Sequence, residues 1–198
     1  AAISTAAGVG GIGIVRLSGS KAHSITKNIC QLNIQAHKVQ FSTFKDFNGE
    51  LIDKGIVLFF KSPRSFTGED IVEFQGHGGP IVLNLILNAC IQFGAQIANP
   101  GDFTKRAYLN SKMDLAQAES VVDLINASTD AAAKSAINSL SGNFSIKING
   151  LLENLIELRM YIEACLDFPE EEIDFITEGK VEDKLKEAED RALRSLAE

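Results

Sequence analysis

Apolar and polar positions follow two different rhythms along this chain, and the change falls near residue 112. The first part contains short apolar runs, rich in β-branched and aromatic residues and separated by turn residues, which predict β-strands. Strands are predicted at residues 12–17, 55–60 and 71–75. Helices are predicted at residues 21–30 and 80–93, where Pro80 suits a first turn and Gly94 a stop. These elements predict an α+β domain over residues 1–112.

In the second part the apolar positions recur every three or four residues, the spacing of one face of an α-helix. One such face carries Leu115, Ala118, Val122 and Ile125. The spacing resumes at Phe144, after a turn at Gly142, and stops before Pro169, because proline cannot continue a helix. A charged third helix is predicted from about residue 178 to the end. Helices with a single apolar stripe need partners, so we predict a helical-bundle domain over residues 113–198 that is completed elsewhere or by another subunit.

The charge balance bears on the partners of this chain. Its formal net charge is −7, and the acidic excess is concentrated from Asp167 onward. Gripping a nucleic-acid backbone requires clustered Lys and Arg. We therefore expect poor RNA affinity for this chain by itself, so that any role on RNA needs a partner or another domain.

The three cysteines, Cys30, Cys90 and Cys165, lie far apart and form no Cys-x-x-Cys or Cys/His cluster. This spacing predicts neither a metal site nor a disulfide framework, and reduced thiols in a cytoplasmic protein are the expected state. Charged and amide residues interrupt every apolar stretch well before the roughly 20 residues that a membrane span requires. We expect no membrane segment.

A glycine-rich stretch at residues 8–13 satisfies G-x-G-x-x-G, the dinucleotide-binding fingerprint. The fingerprint should follow a strand and open a helix, whereas these glycines precede a β-rich run. We interpret them as a flexible loop that enters a strand. The P-loop pattern G-x-x-x-x-G-K-[ST] does not occur in the sequence, so GTP hydrolysis by that machinery is not expected of these 198 residues.

Two candidate site residues lie in and after the third predicted strand. Alternation places Glu73 on the face opposite Val72 and Phe74, and an edge position facing solvent is its ordinary explanation. The glycines that follow, on either side of His77, would let a ligand approach the backbone closely before a predicted helix N-terminus. His77 is equally explained as a ligand contact or as a turn residue.

Two basic residues are further candidates. Arg16 lies inside an apolar strand run, where a charge is costly unless it reaches water, a counter-ion or an anionic ligand. Lys112 lies just before a helix that Asp114 is positioned to cap, and a surface lysine is its ordinary explanation. Taken singly, neither residue identifies a site.

Taken in order, six segments resemble the MnmE family of tRNA-modifying GTPases. They are GGIGIVR from residue 10, SFTGED from 65, EFQGHGGP from 73, PGDFTKRA from 100, KMDLAQAE from 112 and DFPEEEID from 167. Several long motifs in the same order are far more specific than any one of them. The resemblance extends to about Glu187, and residues 189–198 show no match to these motifs.

The resemblance implies a tetrahydrofolate-binding, aminomethyltransferase-like N-terminal domain, then a helical domain interrupted by a GTPase domain that lies outside this sequence. It further implies a homodimer that binds 5-formyltetrahydrofolate or a related tetrahydrofolate and works with the FAD-dependent partner MnmG. Together they place an aminomethyl-type group on carbon 5 of the wobble uridine of tRNA. Potassium and magnesium would belong to the GTPase domain. A C-terminal Cys-containing tail, which in the family lies near the folate, is also outside this sequence.

By position, Arg16, Glu73 and Lys112 match the folate-contacting residues of that family. We expect Glu73 to accept hydrogen bonds from the donor edge of the pterin, while Arg16 and Lys112 meet the anionic glutamyl tail. His77 is a further candidate contact, and we assign no catalytic residue and no metal ligand. Two other readings stay open: a dimerisation scaffold with a vestigial site, and a stand-alone folate-dependent aminomethyltransferase.

Overall fold

The computed structural model describes residues 1–167 and 181–197. The predicted helix stop at Pro169, the start of the third predicted helix near residue 178 and most of the DFPEEEID segment lie outside the described residues. The strands are β1 (Ala2–Ile3), β2 (Gly10–Ser18), β3 (Val39–Lys45), β4 (Leu51–Phe60) and β5 (Ile71–Gly78). The helices are α1 (Ala22–Cys30), α2 (Pro80–Gln92), α3 (Asp102–Leu109), α4 (Leu115–Asn126), α5 (Asp130–Leu140), α6 (Asn143–Asp167) and α7 (Val181–Ala197). None of these helices is long and apolar enough to cross a membrane.

The five strands form one antiparallel sheet in the order β1-β2-β5-β4-β3. The sheet makes the first part a mixed α/β structure. Its central strand is β5, which pairs with β2 on one side and with β4 on the other. The expectation that Glu73 occupies an edge is therefore wrong, because β4, the preceding strand in the sequence, and β2, from a distant part of the chain, flank it.

Helices α1 and α2 pack against one face of the sheet, which we call the inner face. Alternate residues of the strands point into this layer, and they include Val15 and Leu17 of β2 and Val57 of β4. Phe44 and Phe74 are fully buried there, with ring centroids 5.5 Å apart in an edge-to-face arrangement. Burial of these apolar side chains fixes the register, and it leaves the opposite, outer face for the polar residues of the strands.

The chain folds as two compact units, Ala1–Met113 and Asp114–Glu198. Among the described residues of the second unit, every element of regular secondary structure is a helix. Asp114 caps α4 with a capping box. Its carboxylate accepts from the backbone nitrogen of Gln117 at 2.9 Å, and the side-chain oxygen of Gln117 accepts from the backbone nitrogen of Asp114 at 3.0 Å. Within this unit α4 packs on α5, and α6 packs on α5 and α7.

The structure adds elements that the sequence pattern did not predict. Strands β1 and β3 and helix α3 were not expected, and the single helix predicted before Gly142 is two helices, α4 and α5. The break between them lies at Thr129, whose hydroxyl accepts from the Ala132 amide and caps α5. A strong N-cap here starts a new helix even though the apolar spacing continues past it.

Candidate functional site

An ion pair between two neighbouring strands forms the centre of the site. Arg16 on β2 and Glu73 on β5 are direct register partners, so the pairing of these strands brings their side chains together. Glu73 Oε1 accepts from Arg16 Nη2 at 2.7 Å and from Arg16 Nε at 2.9 Å. The side chains are only 13% exposed for Glu73 and 30% exposed for Arg16.

The second oxygen of the Glu73 carboxylate remains open. Both bonds from Arg16 end on Oε1, and among the described residues no hydrogen bond to Oε2 is present. Every buried side-chain oxygen or nitrogen of the described residues has a hydrogen-bond partner. Because Oε2 has none, it is exposed to solvent. The site therefore presents a negatively charged acceptor that is held in place by one arginine and free to accept from a ligand.

The surroundings of the pair are largely apolar. Leu58 on β4 is the other register partner of Glu73, and the next row across the sheet carries Ile14, Gln75 and Ile56. The Arg16 guanidinium also lies over the Phe103 ring, with its Cζ 5.7 Å from the ring centroid. A flat ring with polar groups on its edge matches such a surface, where apolar contact and a few directed hydrogen bonds act together.

The structure does not bring Lys112 into contact with Arg16 or Glu73. Its Nζ donates to the Pro63 carbonyl at 3.2 Å, and its aliphatic part lies against Gly68. The loop that contains both partners is also tied to the end of β2, where the Ser18 and Thr67 hydroxyls are 2.8 Å apart. Lys112 is thus held by the same loop that packs against the strand carrying Arg16.

His77 is paired with Asp53. Its ring Nδ1 lies 2.8 Å from Asp53 Oδ1, and its amide nitrogen donates to Asp53 Oδ2 at 2.8 Å. Burial tends to raise the pKa of Asp53, but the hydrogen bonds from the backbone and ring of His77 and from the Lys54 amide outweigh it, so that the pKa lies below its usual value. A Cβ at Gly76 would lie 2.5 Å from Asp53 Oδ2, so this carboxylate requires glycine there. The His77 side chain itself is 76% exposed.

Sequence reasoning missed a polar network beside the pair. Glu69 Oε2 accepts from the Ser18 hydroxyl at 2.9 Å and from Arg106 Nη1 at 2.8 Å. Together with Phe103 these residues line a cavity of about 490 Å³. The only sequence signal is that Glu69 lies in the SFTGED segment and that Phe103 and Arg106 lie in PGDFTKRA, whereas Ser18 lies in none of the six segments. Their side chains meet through the tertiary fold, which no local spacing reveals.

From Gly10 onward the glycine-rich stretch is part of the sheet, so the interpretation as a flexible loop is wrong for residues 10–13. Gly10 and Gly13 pair with Gly78 and Gly76 of β5, across a bulge in β2. A Cβ at Gly78 would lie 2.7 Å from the Gly10 carbonyl oxygen, so the two strands come too close for any side chain. The stretch opens a strand and no helix follows it directly, which is inconsistent with a dinucleotide fingerprint.

The two cysteines of the first unit, Cys30 and Cys90, are buried. Burial raises the pKa of the Cys30 thiol to about 11 and that of Cys90 to about 12, so both stay protonated and unreactive at neutral pH. Over residues 1–167 and 181–197, no three His, Cys, Asp or Glu side chains come together as a metal site would require.

Comparison with known proteins divides the chain where its two compact units meet in the sequence. Residues 1–112 match the family model "GTP-binding protein TrmE N-terminus", and residues 115–198 match "MnmE helical domain". The second match includes residues 189–198, to which the six motifs do not extend.

Proteins named "tRNA modification GTPase MnmE" are similar over nearly the whole chain. The protein of Saccharophagus degradans is 52% identical over 198 residues, which are 100% of this chain and 43% of that protein. That of Francisella philomiragia is 54% identical over 94% of this chain and 41% of its own length. That of Neisseria meningitidis serogroup B is 51% identical over 93% and 41%. The chain thus spans less than half the length of the curated relatives it matches.

Proposed function

The chain belongs to the MnmE family, and from that premise we propose that its first unit binds a reduced, formylated folate for a tRNA modification GTPase. The observation that carries this proposal is the Arg16–Glu73 pair in the middle of the sheet, with one carboxylate oxygen open to a ligand. A charge on a central strand is costly to fold around, and a ligand that uses it gives a reason to keep it.

The site residues then divide the ligand between them. Glu73 accepts hydrogen bonds from the N–H groups along the pterin edge, with Arg16 holding the carboxylate in place. Because Arg16 is bound to Glu73, at the end of the ring away from the glutamyl tail, we propose that the ammonium of Lys112 alone meets the anionic tail. His77 presents its exposed ring at the far end of β5 as a further contact. Apolar neighbours of the pair, such as Leu58, lie against the flat face of the ring.

The wider role rests on the resemblance to the family. We propose that the bound folate supplies the one-carbon unit for an aminomethyl-type group on carbon 5 of the wobble uridine of tRNA. Redox chemistry takes place on the flavin of the partner MnmG, and a GTPase domain that uses potassium and magnesium drives the cycle. The first unit forms the homodimer, and the complex works in the cytoplasm. Radiolabel from the folate carbon should appear in the modified tRNA, and its absence there would remove the donor role.

Calorimetric titration of the 198-residue chain with 5-formyltetrahydrofolate tests the binding proposal. We expect saturable binding that Glu73→Gln and Arg16→Ala weaken by roughly 10- to 100-fold, the loss expected for hydrogen bonds to a charged group. Glu73→Gln keeps the shape of the side chain, so its fold should survive. Glu50→Ala, which removes an exposed carboxylate at the β3–β4 turn, should bind like the parent.

Two outcomes contradict the proposal in different ways. A folded parent chain that binds no folate would favour a dimerisation scaffold, the alternative that the exposed apolar side chains Val39 and Phe41 support. Folate binding that is unchanged in Glu73→Gln would keep the ligand but reject this site. A stand-alone aminomethyltransferase is not proposed, because it needs a further substrate domain where this chain matches a helical domain.

A further inference from the structure

Gln75 is a polar residue in an otherwise apolar row across the outer face of the sheet. Its register partners are Ile14 on β2 and Ile56 on β4, and Ile56 in turn pairs with Phe41 on β3. The residue is half-buried on the central strand. An apolar side chain at this position would bury more area against these neighbours, so the amide has no evident packing role.

The side-chain amide of Gln75 makes no hydrogen bond in the part of the chain that the structure describes. No buried polar side-chain atom there lacks a partner, so the amide must reach the outer surface of the sheet. An amide carries both a donor and an acceptor, in contrast to the carboxylate of Glu73, which only accepts. Gln75 is therefore an unused polar group of a different hydrogen-bonding kind, placed beside the open oxygen of Glu73.

Strand geometry sets the distance between the two groups. Glu73 and Gln75 lie two residues apart on β5, so they project from the same face with Cα atoms roughly 6.6 Å apart. The polar edge of a reduced pterin carries, side by side, an amino group, a ring N–H and a carbonyl oxygen. The first two are donors and suit the carboxylate, and the third is an acceptor and suits the amide NH₂.

We propose that Gln75 is a specificity-determining contact to the pterin ring, whose carbonyl oxygen accepts from its side-chain NH₂ while Glu73 accepts from the two neighbouring N–H groups. The inference rests on the proposed folate binding and deepens it. It also orients the ring, with the carbonyl side toward His77 and the amino side toward the start of β5. Along this face of β5 an acceptor, Glu73, is followed by a donor, Gln75. This order matches the two N–H groups and the carbonyl oxygen of the pterin edge, and so selects that edge.

The test is titration of the 198-residue chain and two variants with 5-formyltetrahydrofolate. Gln75→Met keeps the length of the side chain and removes the amide, and we expect about three- to tenfold weaker binding. Gln75→Glu places an acceptor against the ring carbonyl and should weaken binding further at neutral pH, with recovery as the pH falls and the new carboxyl group is protonated. Thr43→Val, which removes a polar group from the same face at the edge strand, is the matched control and should bind like the parent.

Ligand fragments separate a ring contact from a general effect on the fold. Gln75→Met should weaken binding of 5-formyltetrahydropterin, which has the ring alone, by the same factor as the whole ligand. It should leave binding of p-aminobenzoylglutamate, which has the tail alone, unchanged. Equal weakening of both fragments, or unchanged binding of the ring, would overturn the assignment.

The proposed function and this inference fail differently. If the parent chain binds no folate, both are lost. If the parent binds, Glu73→Gln weakens binding and Gln75→Met does not, the folate site stands and Gln75 has no part in it. Thermal unfolding of Gln75→Met should match that of the parent or exceed it, because methionine suits the apolar row between Ile14 and Ile56.

Discussion

Glu73 places a carboxylate on a strand that is paired on both sides, where a charged and largely buried side chain is unusual. Its charge is tolerated because Arg16 is its register partner and supplies two hydrogen bonds to one oxygen. The sequence identified both residues as unusual, from their place in apolar runs. It could not pair them, because the pairing depends on which distant strand lies beside β5.

The Asp53–His77 pair gives a prediction at the same scale. Asp53 has a pKa below its unfolded value of 3.8, so its stabilising contribution is fully present above that pH and is lost as the pH falls through the lower, folded pKa. Asp53→Asn keeps the shape but loses the charge, and at about pH 7 we expect it to cost ~1–2 kcal/mol of the free energy of unfolding. Urea unfolding measures the cost.

The pH dependence is the decisive part of that experiment. The difference between parent and Asp53→Asn should begin to shrink as the pH falls below 3.8 and approach zero only below the lower, folded pKa, where the parent carboxylate is protonated in the folded state as well. Glu50→Gln, which alters an exposed carboxylate on the same hairpin, should leave stability unchanged across the range. A cost for Asp53→Asn that stays constant with pH would show that shape rather than charge explains the pair.

At the scale of secondary structure, strong local patterns predicted their elements. The apolar runs now found in β2, β4 and β5 were recognised, and so were α1 and α2. Strand β3 was missed because its apolar residues lie on both faces, with Phe41 exposed and Phe44 buried, so it shows no clean alternation. Helix α3 has eight residues and buries only Ala107 among them, which is too little for a periodic signal.

The capping box at the start of α4 gives the prediction for this scale. Asp114→Ala removes the hydrogen bond from the backbone N–H of Gln117 and should cost ~1 kcal/mol of the free energy of unfolding of the second unit. Asp114→Asn keeps an oxygen acceptor and should retain most of it. Far-UV circular dichroism during urea unfolding follows the helices. If the alanine and asparagine variants unfold alike, the side-chain cap is not what starts this helix.

At the scale of the whole molecule, apolar side chains remain exposed in each unit. In the first unit, edge strand β3 shows Val39 at 70% and Phe41 at 71% exposure. In the second, α6 exposes several large apolar residues along its length, among them Ile146, Leu152 and Met160. Such surfaces mark contacts with other protein segments. Neither the identity of those segments nor the pairing of distant strands follows from periodicity along the chain.

The homodimer proposed for the first unit predicts a measurable change at Phe41. Phe41→Lys places a charge on the exposed part of β3 and should shift the chain from dimer to monomer, because burying the lysine would cost far more than burying the ring. Light scattering after size-exclusion chromatography measures the molecular mass. Thr43→Lys, which adds the same charge on the same strand and face without removing an apolar ring, is the control and should remain dimeric. A parent chain that is itself monomeric would contradict the dimer, and a dimeric Phe41→Lys would place its surface elsewhere.

The central position of β5 has a thermodynamic consequence. Ordering a backbone and its side chains costs conformational entropy, and here that cost is met when the sheet forms rather than when a ligand arrives. Arg16 already holds Glu73 in one orientation, so few rotors remain to be frozen in the complex, each of which would otherwise cost about 0.5–1.5 kcal/mol. A ligand that binds on this strand therefore orders few further side chains, so the conformational entropy that the protein loses on binding is small.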